Sequence, residues 1–276
     1  MKIALVQMSS SDDPAYNLEQ ATDFIEEAAT LGADFILTPE ITNCVSGSRD
    51  LQRQIFRSEN DDPTLIGLQA VALDTGRWLL IGSLGLLSGD PDGRFANRSF
   101  LISPEGAITA RYDKIHMFDV DLGAGESFRE SAAYRPGDQA VLADAPFAKI
   151  GMTICYDVRF PHLFRALAQA GAQIITVPAA FAVTTGRDHL ETLLRARAIE
   201  TGCYILAPAQ CGTHPSSTGH KRQTWGHSLV IDPWGQVISD GGTEPGVVYA
   251  DIDLSEVAAA RARIPSLRHD RKFTGP

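Results

Sequence analysis

The feature that most constrains the fold of this chain is an internal repeat. Three segments of the second half match three segments of the first half in the same order. A single match would carry little weight, but three in register predict two similar β-α-β-α-β-β halves. The matching pairs are KIALVQM (2–8) with KIGMTIC (149–155), LGADFILTPE (31–40) with AGAQIITVPA (170–179), and SFLISPEGAITA (99–110) with SLVIDPWGQVIS (228–239).

Helices with one apolar face are expected between the strands of each half. Apolar spacing and a following glycine predict helices at about 15–30 and 63–75, and again from Pro161 onward and at about 189–201. Each sheet would then carry helices on one side and leave its other face bare. The fold class is therefore predicted as α/β, a four-layer α-β-β-α sandwich that forms one domain over 1–276.

Two segments lie outside the repeat. The acidic, glycine-containing segment 118–139 is interpreted as a functional or covering loop rather than a domain boundary. The tail at 259–276 contains four arginines in RARIPSLRHDR. We expect it to form an arm that lies on the body of the protein or on a partner subunit.

Charge and composition argue against several classes of protein. The net charge of −10 comes with no basic cluster, which disfavours a nucleic-acid partner. No apolar run is long enough for a signal peptide or a membrane span, so we expect a cytoplasmic protein. The four cysteines (Cys44, Cys155, Cys203, Cys211) are expected to be reduced thiols. The sequence contains no CxxC or HExxH motif, so we do not expect a metal site.

One of these cysteines stands in a position that suits a nucleophile. Alternating apolar residues lead into Cys155 as a buried strand would, and Pro161 then suits the first turn of a helix. Ligand sites of α/β proteins lie at such strand-to-helix junctions. Most free cysteines, however, are small buried hydrophobes, and the local context leaves both interpretations open.

Two charged residues follow strands that should end near this cysteine. Glu40 comes directly after Pro39 at the end of one predicted strand, and Lys114 follows another. Alone, each would be interpreted as a solvated charge. Together with Cys155 they supply a carboxylate, an ammonium and a thiol at three strand ends, which is a complete set for nucleophilic catalysis.

The chemistry of this set is acyl transfer through a thioester. A thiol is mostly protonated at neutral pH and needs a base or a nearby positive charge. The Glu40 carboxylate can accept the thiol proton and later activate water, while Lys114 favours thiolate and stabilises an oxyanion. The backbone N–H of Tyr156 is a candidate second donor to that oxyanion.

The motifs that carry these residues resemble the nitrilase, or carbon–nitrogen hydrolase, superfamily. They are TPE, RYDKIHMFD and GMTICYDVRFPHLFRAL, and the similarity extends over nearly the whole chain. The resemblance implies the four-layer sandwich, a catalytic triad of Glu40, Lys114 and Cys155, and no cofactor. It also implies a second glutamate in the intervening loop, where Glu130 matches better than Glu126 and would orient Lys114 or the leaving amine.

The subgroup bears on the substrate. True nitrilases commonly have Cys-Trp-Glu around the nucleophile, whereas this chain has Cys155-Tyr156-Asp157, similar to the Nit-type amidases. The runs at 193–212 and 226–235 most resemble the deaminated glutathione amidases. This implies hydrolysis of a linear amide of a small carboxylate-bearing substrate, such as an α-keto acid amide, with release of ammonia. An ω-amidase and a general aliphatic amidase or nitrilase are the alternatives, and the intact triad disfavours a non-catalytic scaffold.

Residues near the nucleophile are candidates for substrate binding. A bare aliphatic amide would leave an arginine in the pocket unpaired, and an unpaired buried charge is costly. We therefore expect an arginine to bind a carboxylate of the substrate. Arg159 is the first candidate, and Arg187 and Arg197 are the alternatives. Asp157 and Arg159 could line the substrate pocket, or they could only stabilise the turn that carries Cys155. The predicted substrate-binding set is Tyr156, Asp157, Arg159, Phe181 and Thr184.

Two further hypotheses concern the mechanism and the assembly. His116 and His162 lie close in sequence to Lys114 and Cys155, so a Cys–His dyad is the rival mechanism. The helix after Pro161 carries more apolar residues than one sheet face requires, and the resemblance also implies pairing through this region. We therefore expect a homodimer or a larger homo-oligomer.

Overall fold

A computed structural model describes residues 1–123, 126–219 and 222–275 of the chain. The N-terminal half alternates strands and helices and then forms a β-hairpin. The first three strands pair in parallel through helical crossovers, and the last two pair antiparallel. Its elements are β1 (Lys2–Gln7), α1 (Pro14–Thr30), β2 (Phe35–Leu37), α2 (Arg49–Ile55), α3 (Pro63–Thr75), β3 (Trp78–Leu87), β4 (Phe95–Ile102) and β5 (Ile108–Asp113).

The second half repeats this order after an additional hairpin. Its parallel strands are again followed by an antiparallel pair, and a last strand and helix precede the C-terminal tail. Its elements are β6 (Asp119–Gly123), β7 (Glu126–Arg129), β8 (Val141–Asp144), β9 (Lys149–Met152), α4 (Pro161–Gln169), β10 (Ile174–Thr176), α5 (Val183–Thr185), α6 (Glu191–Thr201), β11 (Tyr204–Ala207), β12 (Cys211–His214), β13 (Arg222–Trp225), β14 (Leu229–Ile231), β15 (Val237–Asp240), β16 (Gly246–Asp251) and α7 (Ser255–Arg263).

The strand order confirms the two similar halves. One six-stranded sheet has the order β16-β1-β2-β3-β4-β5, and the other, read from its opposite edge, has β8-β9-β10-β11-β14-β15. Each parallel core is thus bordered by one antiparallel strand before it and a hairpin after it. The border strand of the first sheet, β16, comes from the C-terminal part of the chain and pairs with β1 along its whole length.

Buried side chains place the two sheets against each other. Leu5 and Leu37 of the first sheet belong to the same apolar cluster as Met152 and Ile174 of the second. On the outer face of the first sheet, a separate cluster joins its strands to α1 and α3, for example through Ile25. The helices α4 and α6 cover the outer face of the second sheet, which gives the predicted α-β-β-α sandwich.

Local sequence signals explain where the first-half helices begin and end. Asp13 precedes Pro14 and accepts hydrogen bonds from the first free backbone N–H groups of α1. Asp62 likewise precedes Pro63 and accepts a hydrogen bond from the Leu65 N–H of α3. That helix ends at Gly76, whose φ of 64° is the left-handed conformation that glycine adopts without strain.

Three expectations about element bounds were wrong in detail. The strand leading to Cys155 ends at Met152, and Cys155 instead begins a 3₁₀ turn. The helix expected from 189 starts at Glu191, after a π-helical turn (Gly186–Leu190). The segment expected as a loop at 118–139 contains the β6–β7 hairpin, of which 124–125 lie outside the described residues.

The tail lies on the body of the protein. Gln169 of α4 donates a hydrogen bond to the Leu267 carbonyl, and Arg165 donates one to Ser266. Asp270 accepts hydrogen bonds from both of these α4 side chains. The first part of this tail, up to Arg263, belongs to α7.

The apolar residues of α4 face inward, which removes one argument for assembly. Leu163, Phe164 and Leu167 are all buried within this chain. The outer face of α4 has only small or polar side chains, such as Ala166. In the described ranges, no helix has the length and apolarity needed to cross a membrane.

Candidate active site

Glu40 lies in a tight bend just after β2. Ile41, the next residue, has a φ of 54°, and the Glu40 carbonyl accepts a hydrogen bond from the Gln210 side chain. Strand β3 passes so close that a Cβ at Gly82 would lie 2.0 Å from the Thr38 carbonyl oxygen. The bend and this glycine together fix the carboxylate, which is 4% exposed.

Lys114 lies just beyond β5 and reaches back to two carboxylates. Its backbone N–H donates to the Asn97 carbonyl of β4 at 3.0 Å. Its Nζ lies 2.8 Å from Glu40 Oε1 and 2.9 Å from both carboxylate oxygens of Glu130. The ammonium is 2% exposed and is shared between the two glutamates.

Glu130 lies next to Lys114, where the family resemblance implied a second glutamate. It begins a 3₁₀ turn after β7, and its Oε2 also accepts a hydrogen bond from the Phe118 N–H at 2.6 Å. Glu126 lies elsewhere and accepts a hydrogen bond from Thr184 at 3.4 Å. Of these two glutamates, Glu130 therefore holds Lys114 in place.

Asn97 is a site residue that sequence reasoning missed. Its Nδ2 donates to Glu40 Oε1 at 3.0 Å and to Glu130 Oε1 at 3.4 Å, so one amide links the two carboxylates. Its Oδ1 is buried and has no partner in the described part of the chain. The available signal was an amide on the buried side of a predicted strand, FANRSFLI, where an apolar residue is usual.

Cys155 has the strained backbone of a residue held out of a regular element. Its φ is 48°, a left-handed conformation that side chains other than glycine rarely adopt. Its N–H donates to the Pro178 carbonyl at 2.9 Å, and the residue is 8% exposed. Tyr156 follows in the first turn of the 3₁₀ segment, where backbone N–H groups lack partners within the helix.

Asp157 holds this turn together. Its fully buried carboxylate accepts hydrogen bonds from Tyr112 Oη at 2.7 Å and from the Ile154 N–H at 2.9 Å. The His116 N–H donates to it at 3.0 Å, and His116 Nδ1 lies 2.7 Å away. Both oxygens are thus occupied by the protein, which favours the locking role over direct contact with substrate.

The two histidines of the rival mechanism are engaged elsewhere. The His116 ring stacks on Phe160 with centroids 3.5 Å apart, and the His162 ring meets His116 edge-on at 5.7 Å. Within the described ranges, neither ring is hydrogen-bonded to Cys155. The geometry therefore favours Glu40 over a histidine as the base.

Burial and charge together determine the resting protonation of the site. Burial alone would raise the pKa of Glu40, but the charge and hydrogen bond of Lys114 lower it below its ordinary value. Burial disfavours the Lys114 ammonium, yet Glu130 and Glu40 raise its pKa well above the usual range. Burial and the Glu40 carboxylate raise the pKa of Cys155, and Lys114 does not offset them. The resting site therefore holds a thiol, a carboxylate and an ammonium, not the thiolate that an ammonium alone would favour.

The three arginines considered for a substrate carboxylate differ in their partners. Arg159 lies 5.7 Å from the ring centroids of Tyr156 and Phe181, with Nη2 3.2 Å from His189 Nδ1, and forms no salt bridge with a described carboxylate. Arg197 is buried and donates to the Val158 carbonyl. Arg187 is exposed and paired with its neighbour in sequence.

The remaining predicted binding residues lie around the same segment. Phe181 is buried and faces Arg159, whereas Thr184 is exposed in the short helix α5. Among the described residues, no cluster of histidine, cysteine, aspartate or glutamate side chains has a geometry that could hold a metal ion.

The family model for carbon–nitrogen hydrolases matches residues 2–262 of this sequence. The chain belongs to the carbon–nitrogen hydrolase family. It is accordingly a hydrolase that acts on carbon–nitrogen bonds other than peptide bonds, as the amidase names of its relatives also indicate.

Curated relatives and solved structures agree with this membership. The chain is 38% identical over 270 residues to the deaminated glutathione amidase of Yersinia enterocolitica, covering 98% of this chain and 92% of that protein. It is 35% identical to the human omega-amidase NIT2, covering 98% and 95%. Its fold superposes on the NitFhit protein of C. elegans with a TM-score of 0.87 and 35% identity, covering 98% of this chain and 65% of that one.

Proposed function

We propose that this protein is an amidase that hydrolyses a linear amide of a small carboxylate-bearing substrate, deaminated glutathione or a related α-keto acid amide, through a thioester on Cys155. The observation that carries the proposal is the buried Lys114 ammonium, held by Glu40 and Glu130 beside the Cys155 thiol. The names of the bacterial and human relatives support the class of substrate.

In the first half of the reaction, the substrate acylates Cys155. Glu40 removes the thiol proton as sulfur attacks the amide carbonyl, because the resting thiol is neutral and the carboxylate is ionised. The Lys114 ammonium and the Tyr156 N–H donate to the oxyanion that forms. Collapse breaks the carbon–nitrogen bond, and Glu40 returns its proton to the departing amine.

In the second half, water releases the acid. Glu40, again a carboxylate, removes a proton from water, which attacks the thioester carbonyl. The same two donors stabilise the second oxyanion, and the carbon–sulfur bond breaks as the thiol regains its proton. Glu130 acts through Lys114, since it holds the ammonium against the loop that follows β5.

The leaving group distinguishes the two leading substrates. A primary ω-amide releases ammonia, as expected above, but deaminated glutathione carries its amide on a dipeptide and would release that amine instead. An assay should therefore measure the keto acid, ammonia and free amine together. Ammonia from a keto-acid ω-amide, with no turnover of deaminated glutathione, would favour the ω-amidase alternative. Preferential hydrolysis of a nitrile would favour a nitrilase.

The nucleophile is tested by trapping the intermediate. After incubation with the amide and a rapid quench, mass spectrometry should find the acyl group on Cys155, and Cys155→Ala should be inactive. Glu40→Gln should lower kcat by about 10²–10⁴, and Lys114→Ala by about 10²–10³. An adduct on Cys44, Cys203 or Cys211 would contradict the assignment.

Arg159 is proposed to bind the carboxylate on the acyl side of the substrate. Its guanidinium stacks near two aromatic rings and has no salt bridge with a described carboxylate. Arg159→Leu should weaken the interaction with a carboxylate-bearing amide by about 2–5 kcal/mol if the ion pair is desolvated. A neutral amide of the same length should be affected much less. Equal losses on both amides would mean that Arg159 only shapes the turn.

The cellular compartment is part of the same proposal. All four cysteines are free and buried, which suits a reducing compartment such as the cytoplasm.

A further inference from the structure

The β12–β13 hairpin is fixed against the segment that follows β10. The Trp225 N–H donates to the Phe181 carbonyl at 3.0 Å, and Thr224 forms a β-bridge with Ala182. A Cβ at Gly186 would lie 2.3 Å from Trp225 Cβ, so the glycine permits this close packing. The position of the hairpin relative to Phe181 is therefore defined by backbone contacts.

Arg222, the first residue of β13, reaches the segment that also contacts the nucleophile. Its Nη2 donates to the Ala180 carbonyl at 3.3 Å. The N–H of the same residue, Ala180, favours the thiolate form of Cys155, and the Cys155 N–H donates to the Pro178 carbonyl. Arg222 and Cys155 thus both contact the short backbone segment from Pro178 to Ala180.

This guanidinium has unused hydrogen-bonding capacity. A guanidinium has five N–H donors. Within the described ranges, the Arg222 guanidinium donates one hydrogen bond, to the Ala180 carbonyl. It forms no salt bridge with a described carboxylate, whereas the structural Arg98 pairs with both Glu59 and Asp113. Arg222 is half-buried, and its charge acts on Glu40.

We propose that Arg222 binds a second carboxylate of the substrate, which makes the β12–β13 hairpin an element of specificity. Arg159 contacts the Phe181 ring and Arg222 the Ala180 carbonyl, so two guanidinium groups approach one short segment. Two separate cationic groups suit an amide with a carboxylate on both its acyl and its amine side. The inference rests on the proposed function and selects, within it, a dicarboxylate amide over an ω-amide with one carboxylate.

The alternative role for Arg222 is to balance the charge of Glu40. That role predicts equal losses on every substrate, because Glu40 acts in each turnover. Binding of a second carboxylate predicts a loss confined to the dicarboxylate. The two roles are therefore separated by substrate charge and not by activity alone.

The test uses three amides of matched acyl chain: glutaryl-glycine, glutaryl-methylamide and butyryl-methylamide, with two, one and no carboxylates. Arg222→Leu should lower kcat/KM for glutaryl-glycine by about 30-fold or more, through KM, which is the smaller end of the range for a desolvated ion pair. The other two amides should change less than about threefold. Arg222→Lys should restore part of the loss, and Arg53→Leu, which removes an exposed arginine charge on α2, should change nothing.

Equal losses on all three amides, or no loss on glutaryl-glycine, would overturn the proposal. A binding measurement separates this failure from failure of the proposed function. Calorimetry on Cys155→Ala should show tighter binding of glutaryl-glycine than of glutaryl-methylamide, and adding Arg222→Leu should abolish the difference. If the wild type hydrolyses no amide, the proposed function is wrong, while the calorimetric comparison still supports or overturns the role of Arg222.

Discussion

At the scale of single residues, the reactivity of Cys155 depends on a proton that the resting site keeps on sulfur. Lys114 is neutralised by two glutamates, so it does not hold a thiolate before substrate arrives. Attack and proton transfer to Glu40 are therefore coupled. The cost of a buried thiolate is confined to the moment of reaction, when a carbonyl is present to receive the electron pair.

The pH dependence of kcat/KM follows from these charges. Glu40 must be ionised and the charge of Lys114 lowers its pKa, so the acid limb should have its midpoint below that of an ordinary glutamate. No descending limb should appear up to about pH 9, because burial and neighbouring carboxylates raise the pKa of Cys155 and of Lys114. Circular dichroism at each pH controls for unfolding. An acid limb near about 6.5 would instead indicate a histidine and favour the Cys–His dyad.

Asp157 yields a prediction about stability. In Asp157→Asn, the amide keeps one acceptor but turns an NH₂ group toward donors that now lack a partner, among them the Tyr112 hydroxyl and the Ile154 N–H. The free energy of unfolding should fall by about 1–3 kcal/mol, measured by urea denaturation. Asp188→Asn, at an exposed aspartate, is the control. Unchanged stability would contradict the locking role of Asp157.

The sequence pointed to the residues whose chemistry stands out near the family motifs, but not to Asn97 or Arg222. Glu40, Lys114 and Cys155 were proposed because charge and thiol chemistry stand out at strand ends, and Glu130 was proposed from the family resemblance alone. Asn97 was missed because an amide inside a strand has no chemical signature until its two carboxylate partners are known. Arg222 was missed for a related reason, since it is far from the motifs along the chain and is brought near them by the hairpin.

At the scale of elements, the site depends on a close crossing of β3 and the bend after β2. Gly82→Ala would place a methyl group 2.0 Å from the Thr38 carbonyl oxygen, which forces the backbone next to Glu40 to move. We expect a cost of about 1–3 kcal/mol in stability and a loss of kcat well beyond what this destabilisation explains. Gly246→Ala is the matched control, because a Cβ there has open space. Full activity in Gly82→Ala would show that the bend tolerates displacement.

Elements with strong local signals were predicted well, and those stabilised by tertiary contacts were not. α3 ran over the expected Pro63–Thr75 because its cap residues and its left-handed glycine are local. β8 and β16 were not predicted, since each is a short border strand that exists by pairing with β9 or β1. The strand β9 ends at Met152, earlier than predicted, because the surroundings of Cys155 impose its left-handed backbone conformation.

At the scale of the whole molecule, assembly stays a prediction. We expect a homodimer or larger, so light scattering at micromolar concentration should give at least twice the chain mass of 29.8 kDa. Ala166→Glu, on the exposed face of α4, should reduce the mass if pairing uses this helix. Gly246→Ala, away from α4, serves as its control. A mass equal to one chain in the wild type would contradict the prediction.

The pairing of β1 with β16 has a consequence for biosynthesis. The border of the first sheet is supplied by Gly246–Asp251, so it is missing until nearly the whole chain has left the ribosome. Until then the nascent N-terminal half presents β1 as an uncovered edge, and its inner face has no second sheet to meet. Such edges recruit other strands. Translation pauses or truncations before 246 should therefore direct this chain toward chaperones and aggregates, whereas its completed form has that edge covered.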